Sequence, residues 1–259
     1  YIRPVQQDGK TILIGQKGNT NVENGMIDKS LFIIENHSGN FEKKKKYHLP
    51  EKINIFDFAK ADLEGDSALE TVVIDNNEKL KIYDPNMKVV WASQDLYGGN
   101  NRYYGPDMNI DQVSSGIDSG FSVGDEQDRE KAFMTGRIVV ADMDKDGKDE
   151  LFVAKNSSTA GIKWLRNIRT YSGGSVVCMG WADGALHELW NTRHQDSYIA
   201  DLKVNFVGEE GRELIEVLIA RDVSNGGLGI SFSKRGQLSG HHFELKKASD
   251  ETILPEVKE

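Results

Sequence analysis

The chain has very little cysteine, little proline and no long apolar run, and each shortage narrows what it can be. A single cysteine, Cys178, excludes an internal disulfide framework. It stands in the apolar run Val176-Val177-Cys178-Met179, which points to a buried, inert thiol rather than a nucleophile. No stretch approaches about 18 uncharged apolar residues, so no transmembrane helix is expected. Helical periodicity is nearly missing as well: the best candidate, Asp125 to Phe133, is short and highly charged. Basic residues are in deficit, 32 against 41 acidic, and the resulting net charge of -9 repels phosphate backbones and argues against a general nucleic-acid binder. No H-E-x-x-H, C-x-x-C or phosphate-cradling glycine loop is present. The opening Tyr1-Ile2-Arg3-Pro4-Val5 has neither a basic start nor an apolar run, so any signal peptide is expected to be already removed or never present.

What the chain does have is glycine and an internal repeat. Its 259 residues, 38% hydrophobic and 28% charged, are those of an ordinary globular protein, and 26 Gly against 5 Pro imply many tight turns. Ala61-Asp62-Leu63-Glu64-Gly65-Asp66-Ser67-Ala68-Leu69-Glu70 aligns without a gap on Ala141-Asp142-Met143-Asp144-Lys145-Asp146-Gly147-Lys148-Asp149-Glu150. Counting from Asp62 and Asp142, acidic residues coincide at positions 1, 3, 5 and 9. Strand-like runs follow, Thr71 to Ile74 and Leu151 to Ala154, and apolar segments precede, Ile53 to Phe58 and Arg137 to Val140. Asp84-Pro85 and Asp183-Gly184 each lead to a tryptophan, Trp91 and Trp190.

Two weaker copies flank this pair. Ile199-Ala200-Asp201-Leu202 resembles the start of an acidic loop, but Lys203 and Asn205 take its third and fifth positions, so no metal is expected there and Lys203 supplies the positive charge. Its later strands are expected at Gly229 to Ser233 and His242 to Leu245. At the other end, Asp8-Gly9-Lys10 keeps half a loop before Thr11 to Gly15, with later strands at Leu31 to Glu35 and Phe41 to His48.

Four units of about 40–50 residues with four short strands each are the signature of a β-propeller. The expected fold is therefore all-β, a propeller or propeller segment of about four four-stranded antiparallel blades. It is read as a single domain over 1–259, with units 1–52, 53–100, 134–195 and 196–247 and an insertion at 101–133. The Gly-, Ser- and Asp-rich stretch from Ser93 to Thr135 is either an insertion over one face or a degenerate blade.

Four carboxylates within nine residues, Asp142, Asp144, Asp146 and Glu150, repel one another strongly unless a cation sits among them. Positions 1, 3 and 5 turn toward one centre, Gly147 permits the backbone reversal, and the carbonyl of Lys148 joins the ligands. Oxygen donors in this number suit Ca2+ and not zinc or copper. An EF-hand requires a bidentate Glu at loop position 12, where this chain has Val153, and flanking helices, so it is excluded. The plain alternative is a solvated acidic turn between strands. Residues 142–151 resemble the calcium loop of FG-GAP and VCBS repeats, propeller modules also found in integrin α chains and bacterial secreted proteins. Leu13 to Gly18 and Leu96 to Gly99 are also similar to bacterial envelope proteins of this class. The resemblance implies calcium on Asp142, Asp144, Asp146 and Glu150 with the Lys148 carbonyl. Asp62, Glu64, Asp66 and Glu70 match by position, although Glu64 is longer and Ser67 replaces the glycine.

Other features are weighed against plainer readings. Gly120-Phe121-Ser122-Val123-Gly124 matches a nucleophile elbow, but its loop context makes it a chance match. Lys43 to Lys46 discourage pairing at a strand edge, with acidic-polymer binding as the alternative. Trp91, Trp164, Trp181 and Trp190 pack between or at the rims of blades, whereas Tyr97, Tyr103, Tyr104 and Phe121 either contact a partner or pack on the propeller. Asn36-His37-Ser38 and Asn156-Ser157-Ser158 are glycosylation sequons, meaningful only in a eukaryotic secretory context.

The functional expectation is a non-catalytic, calcium-stabilised module for protein binding, adhesion or surface assembly, extracellular or in the cell envelope. Its partner is a protein or glycan at the cell surface, or further subunits of a homo-oligomer or multiprotein assembly. The rival is a polysaccharide-acting hydrolase or lyase on the same scaffold.

Overall fold

In the computed structural model every regular element among the described residues is a β-strand, and within each of the larger sheets the strand order follows the chain. The structure describes residues 1–7, 9–18, 27–50, 52–104, 132–159, 169–207, 214–222 and 236–244. Among these no residue is helical, and no helix is long and apolar enough to cross a membrane. The all-β outcome follows from short β-branched and aromatic runs cut by turn residues, such as Thr71-Val72-Val73-Ile74 closed by Asp75-Asn76-Asn77. The chain divides into two compact units, one of Tyr1–Phe56, Asn101–Met134 and Ala160–Thr170, the other of Asp57–Asn100, Thr135–Thr159 and Tyr171–Glu259.

The first unit holds an antiparallel meander of β1 (Ile2–Gln7), β2 (Lys10–Gly18), β3 (Ile27–His37) and β4 (Asn40–Tyr47). The register puts Val5, Ile14, Leu31 and Tyr47 on one face, and all four are buried. Gln16 is a buried polar member of that face and is satisfied: its Nε2 donates to the Asp28 carbonyl at 2.7 Å and its Oε1 accepts the Ile55 N–H at 2.8 Å. Lys43 to Lys46 lie on β4, the edge strand of the sheet, where repeated charge opposes pairing with another strand. A two-stranded ribbon, β9 (Tyr103–Tyr104) with β10 (Ala132–Phe133), belongs to the same unit, and the Tyr103 and Phe133 rings meet edge-on at 5.8 Å. The Gly120–Gly124 match, Phe121, Trp164 and all but the last two residues of the 125–133 helix candidate lie outside the described residues.

The second unit holds three meanders: β5 (Phe58–Ala61), β6 (Glu70–Ile74), β7 (Leu80–Tyr83) and β8 (Val89–Ala92); β11 (Val139–Ala141), β12 (Glu150–Ser158), β13 (Tyr171–Ala182) and β14 (Ala185–Asn191); β15 (Ile199–Val207), β16 (Leu214–Asp222) and β17 (Gly236–Glu244). The middle sheet is covered on both faces, which explains why β12 and β13 read as continuous apolar runs. Leu151, Val153, Val177 and Met179 point to one side, against Val72, Ile74, Leu80 and Ile82. Phe152, Ala154, Val176 and Cys178 point to the other, against Ile199, Leu202 and Ile219, with the Phe152 and Trp190 rings edge-on at 5.7 Å. Tyr97 is packed into the first cluster rather than presented to a partner, and Trp91 and Trp181 lean on that same cluster.

Two sequence expectations are corrected by the backbone. The strand before the first acidic loop is Phe58–Ala61, not 53–58, because Ala61 must pair with Glu70 to close the corner; Ile53 and Ile55 are buried outside any strand. The third acidic copy is not a loop. Asp201, Lys203 and Asn205 all lie in the unbroken strand β15, paired with β16, and no glycine interrupts 199–207 to reverse the chain. Among the described residues the last sheet has three strands; the strand expected at 229–233 lies outside them.

A buried amide ties the middle sheet to its neighbour. Asn156, only 7% exposed, donates from Nδ2 to the carbonyls of Gly99 and Ile199 at 2.8 and 2.9 Å and accepts the Ile199 N–H at 2.9 Å. Gly174 makes room for it: a Cβ there would stand 2.1 Å from Asn156 Oδ1. Asn156→Ala strands buried backbone groups, each costing about 1–3 kcal/mol. The urea midpoint should therefore fall by the equivalent of at least about 2 kcal/mol; a change within error would show that water replaces the amide.

Candidate metal centre

Both acidic loops turn the chain from the first to the second strand of a sheet, residues 62–69 between β5 and β6 and residues 142–149 between β11 and β12. Their backbones match. Positions 4 and 6 are left-handed in each, Gly65 (φ 75°) and Ser67 (φ 68°) in the first, Lys145 (φ 60°) and Gly147 (φ 92°) in the second. Each loop thus has glycine at one left-handed position and a side chain at the other, and the glycine has changed places between copies. Position 2 is a buried apolar anchor, Leu63 or Met143. Its N–H is accepted by the position-9 carboxylate, Glu70 at 3.1 Å or Glu150 at 2.7 Å.

The two loops differ in what their carboxylates have left to accept. In the first, Asp62 Oδ1 takes the N–H groups of Gly65 and Asp66 at 2.8 and 3.1 Å, and Oδ2 takes that of Ser67 at 2.9 Å. The longer Glu64 reaches away to accept the indole Nε1 of Trp181 at 3.3 Å, and Asp66 accepts the Ala68 N–H at 2.8 Å. In the second, Asp142 Oδ2 takes the Gly147 N–H at 3.0 Å, while Asp142 Oδ1 is buried without a hydrogen-bond partner. Asp144 accepts the Asp146 N–H at 3.2 Å, and Asp146 accepts the Lys148 N–H at 2.8 Å.

Carboxylate oxygens of Asp142, Asp144 and Asp146 lie within 4.8 Å of one another, the one such group of three among the described residues. Asp62, Glu64 and Asp66 are not gathered in this way. Two oxygens on one calcium, each at about 2.4 Å, stand no more than about 4.8 Å apart, so the second loop has the spacing and the oxygen-only donors that a hard cation requires. Electrostatics agree with geometry. Burial pushes the Glu150 carboxyl up to about 7, partly offset by the Met143 N–H and raised further by Asp144, Asp146 and Asp142. Burial and the neighbouring Asp146 and Asp142 charges also raise Asp144.

Two contacts were not readable from the sequence. Asp149, at position 8, joins the loops: its Oδ2 accepts the Asp62 N–H at 2.8 Å, and its own N–H donates to the Asp62 carbonyl at 2.8 Å. Burial raises its carboxyl, against the lowering effect of the Asp62 N–H. The only hint was an acidic residue where the other copy has Leu69. Asp201 is paired by Arg137, whose Nε and Nη2 lie 2.9 and 3.1 Å from its two oxygens, and not by Lys203. Cys178 is buried among apolar neighbours, and that burial drives its thiol far above its ordinary value.

No protein-family model matches the chain, and no curated protein matches it. Among solved structures it is similar to the V. cholerae biofilm matrix protein Bap1, with 12% identity and a TM-score of 0.29 over 99% of this chain and 54% of that one. The chain spans about half the length of that protein.

Between its ordinary value near 4.5 and about 7, folded Glu150 keeps a proton that the unfolded chain has released. The metal-free protein should therefore lose stability as pH rises through that window, because the folded state binds more protons there. Urea titrations from pH 4 to 8 in chelator should show this fall, and Glu150→Gln should flatten it; an unchanged slope in the variant would assign the effect to another group.

Proposed function

We propose that the chain is a calcium-stabilised β-propeller segment of the FG-GAP/VCBS kind, acting as a non-catalytic binding or assembly module at the cell surface. The single observation that carries this reading is the trio Asp142, Asp144 and Asp146, gathered within 4.8 Å at a strand-to-strand corner with a buried, partnerless oxygen on Asp142. Asp142, Asp144 and Asp146 would hold the ion, with Glu150 and the Lys148 carbonyl completing its shell. The ion supplies the positive charge that makes the clustered carboxylates tolerable and fixes the corner between β11 and β12. The loop at 62–70 takes no ion in this reading, since Asp62 and Glu64 already accept N–H groups.

The propeller assignment is supported by meander sheets stacked face to face, with the first strand β11 of the middle sheet lying beside the first strands β5 and β15 of its neighbours. A site outside the cell fits an ion that is abundant there, where modules with dissociation constants of roughly 10⁻⁴–10⁻³ M are common. A protein or glycan of the cell surface is the partner class.

Free calcium at about 100 times its dissociation constant should add about 2.7 kcal/mol to the stability of the fold. For a protein of this size that raises the melting temperature by roughly 5–10 °C. Asp144→Ala should remove the calcium increment; Asp66→Ala and Asp201→Ala should keep it, the latter losing at most about 1 kcal/mol with its exposed Arg137 pair. Differential scanning calorimetry with calcium, magnesium and chelator measures all three, and identical melting in calcium and in chelator would refute the proposal.

A further inference from the structure

The second face of the β1–β4 sheet is as apolar as the first, yet open. Register places Ile2, Pro4, Leu13, Phe32, Ile34 and Phe41 on it together, with Lys43 and Lys46 along its β4 edge. Lys46 reaches that side because the β3–β4 register shifts between Phe32 and Ile34, which pairs it with Phe32 and places it on the same face as Lys43. Ile2 and Phe41 are each 56% exposed, Pro4 is exposed, and Leu13, Phe32 and Ile34 are half-exposed. Lys43 Nζ lies 4.3 Å from the Phe32 ring centroid, and Lys44 pairs with Glu35. Lys45 and Lys46 are exposed and have no ion-pair partner among the described residues.

Charge is distributed to match. Residues 1–56 contain nine Lys/Arg and six Asp/Glu, a balance of +3, so the other 203 residues carry 23 basic against 35 acidic, a balance of -12. Charges farther than about 8 Å are largely screened at physiological salt, so a surface meeting this face feels the lysines rather than the net charge of the chain.

We propose that this face docks on an anionic lipid bilayer, with Phe41 and Ile2 entering the headgroup boundary and the β4 lysines meeting lipid phosphates. An apolar face with a basic rim gains twice at such a surface, from buried hydrocarbon and from anionic headgroups. The other occupants use only part of it. A hydrated acidic polysaccharide matches the lysines but gains little from Ile2, Pro4, Leu13 and Ile34. A second copy brings the same basic face and offers the lysines no anionic partner. The inference does not depend on the metal centre, which lies in the other unit.

The test is co-sedimentation of the full chain with vesicles of equimolar phosphatidylglycerol and phosphatidylcholine, beside pure phosphatidylcholine, at physiological salt. Binding is expected to the mixed vesicles and not to the neutral ones. Lys45→Gln with Lys46→Gln should lower the partition coefficient by about 25-fold, about fivefold per lysine. Phe41→Ser should also lower it, while Lys10→Gln with Lys29→Gln, on the opposite face by strand alternation, should leave it unchanged. All these side chains are exposed, so the fold, checked by circular dichroism, should be unaffected. No binding to mixed vesicles, or equal losses in the two lysine pairs, would overturn the proposal. So would retention on a soluble polyuronate without vesicle binding, or a dimer in solution that Phe41→Ser dissociates.

Discussion

Negative charge at the corners of stacked sheets is the constraint around which the second unit is arranged. Three aspartates stand where successive sheets begin, Asp62, Asp142 and Asp201, and their surroundings differ. Asp62 is wrapped by the N–H groups of its own turn. Asp201 is met by the guanidinium of Arg137, which stands just before the neighbouring first strand β11. Asp142 has one oxygen bonded and one buried with no partner, beside two more carboxylates. Turn amides and a guanidinium answer one electrostatic problem at Asp62 and Asp201, whereas at Asp142 three carboxylates lie together.

The middle sheet converts those local solutions into cohesion. Because β12 and β13 are apolar on alternate sides, they bury one set of side chains against the β5–β8 sheet and the other against β15 and β16. Hydrogen bonds reinforce both contacts, through Asp149 on one side and Asn156 on the other. The acidic corner is linked directly to the neighbouring loop, since Asp149 follows Lys148 in the chain and exchanges hydrogen bonds with Asp62.

Much of this was legible in the chain. The gapless match of residues 61–70 with 141–150 located two strand–loop–strand corners, and both have the same left-handed positions. Short β-branched runs and turn residues announced the strands, and Cys178 in its apolar run was recognisably buried. What escaped was long-range. The Asp149–Asp62 pair is 87 residues apart in sequence and the Arg137–Asp201 pair 64, and neither distance leaves a periodic trace. Asp201 was misread as a loop because its apolar flanks resemble those of the true loops, whereas the absence of glycine between 199 and 207 lets the strand run on. Glu64 and Asp144 occupy equivalent positions, yet the extra methylene of glutamate takes its carboxylate to Trp181.

The inward-facing amide of Asn156 has a consequence for how the chain can be produced. It heads the sequon Asn156-Ser157-Ser158, and its Nδ2, the atom to which an oligosaccharide is attached, is committed to two carbonyls in a space that Gly174 leaves just wide enough. In a host that modifies nascent chains during secretion, a sugar added there before β12 pairs with β13 would keep the two strands apart. Asn36, in the other sequon, is exposed at the end of β3 and poses no such conflict. A cytosolic or bacterial host avoids the problem without changing a residue.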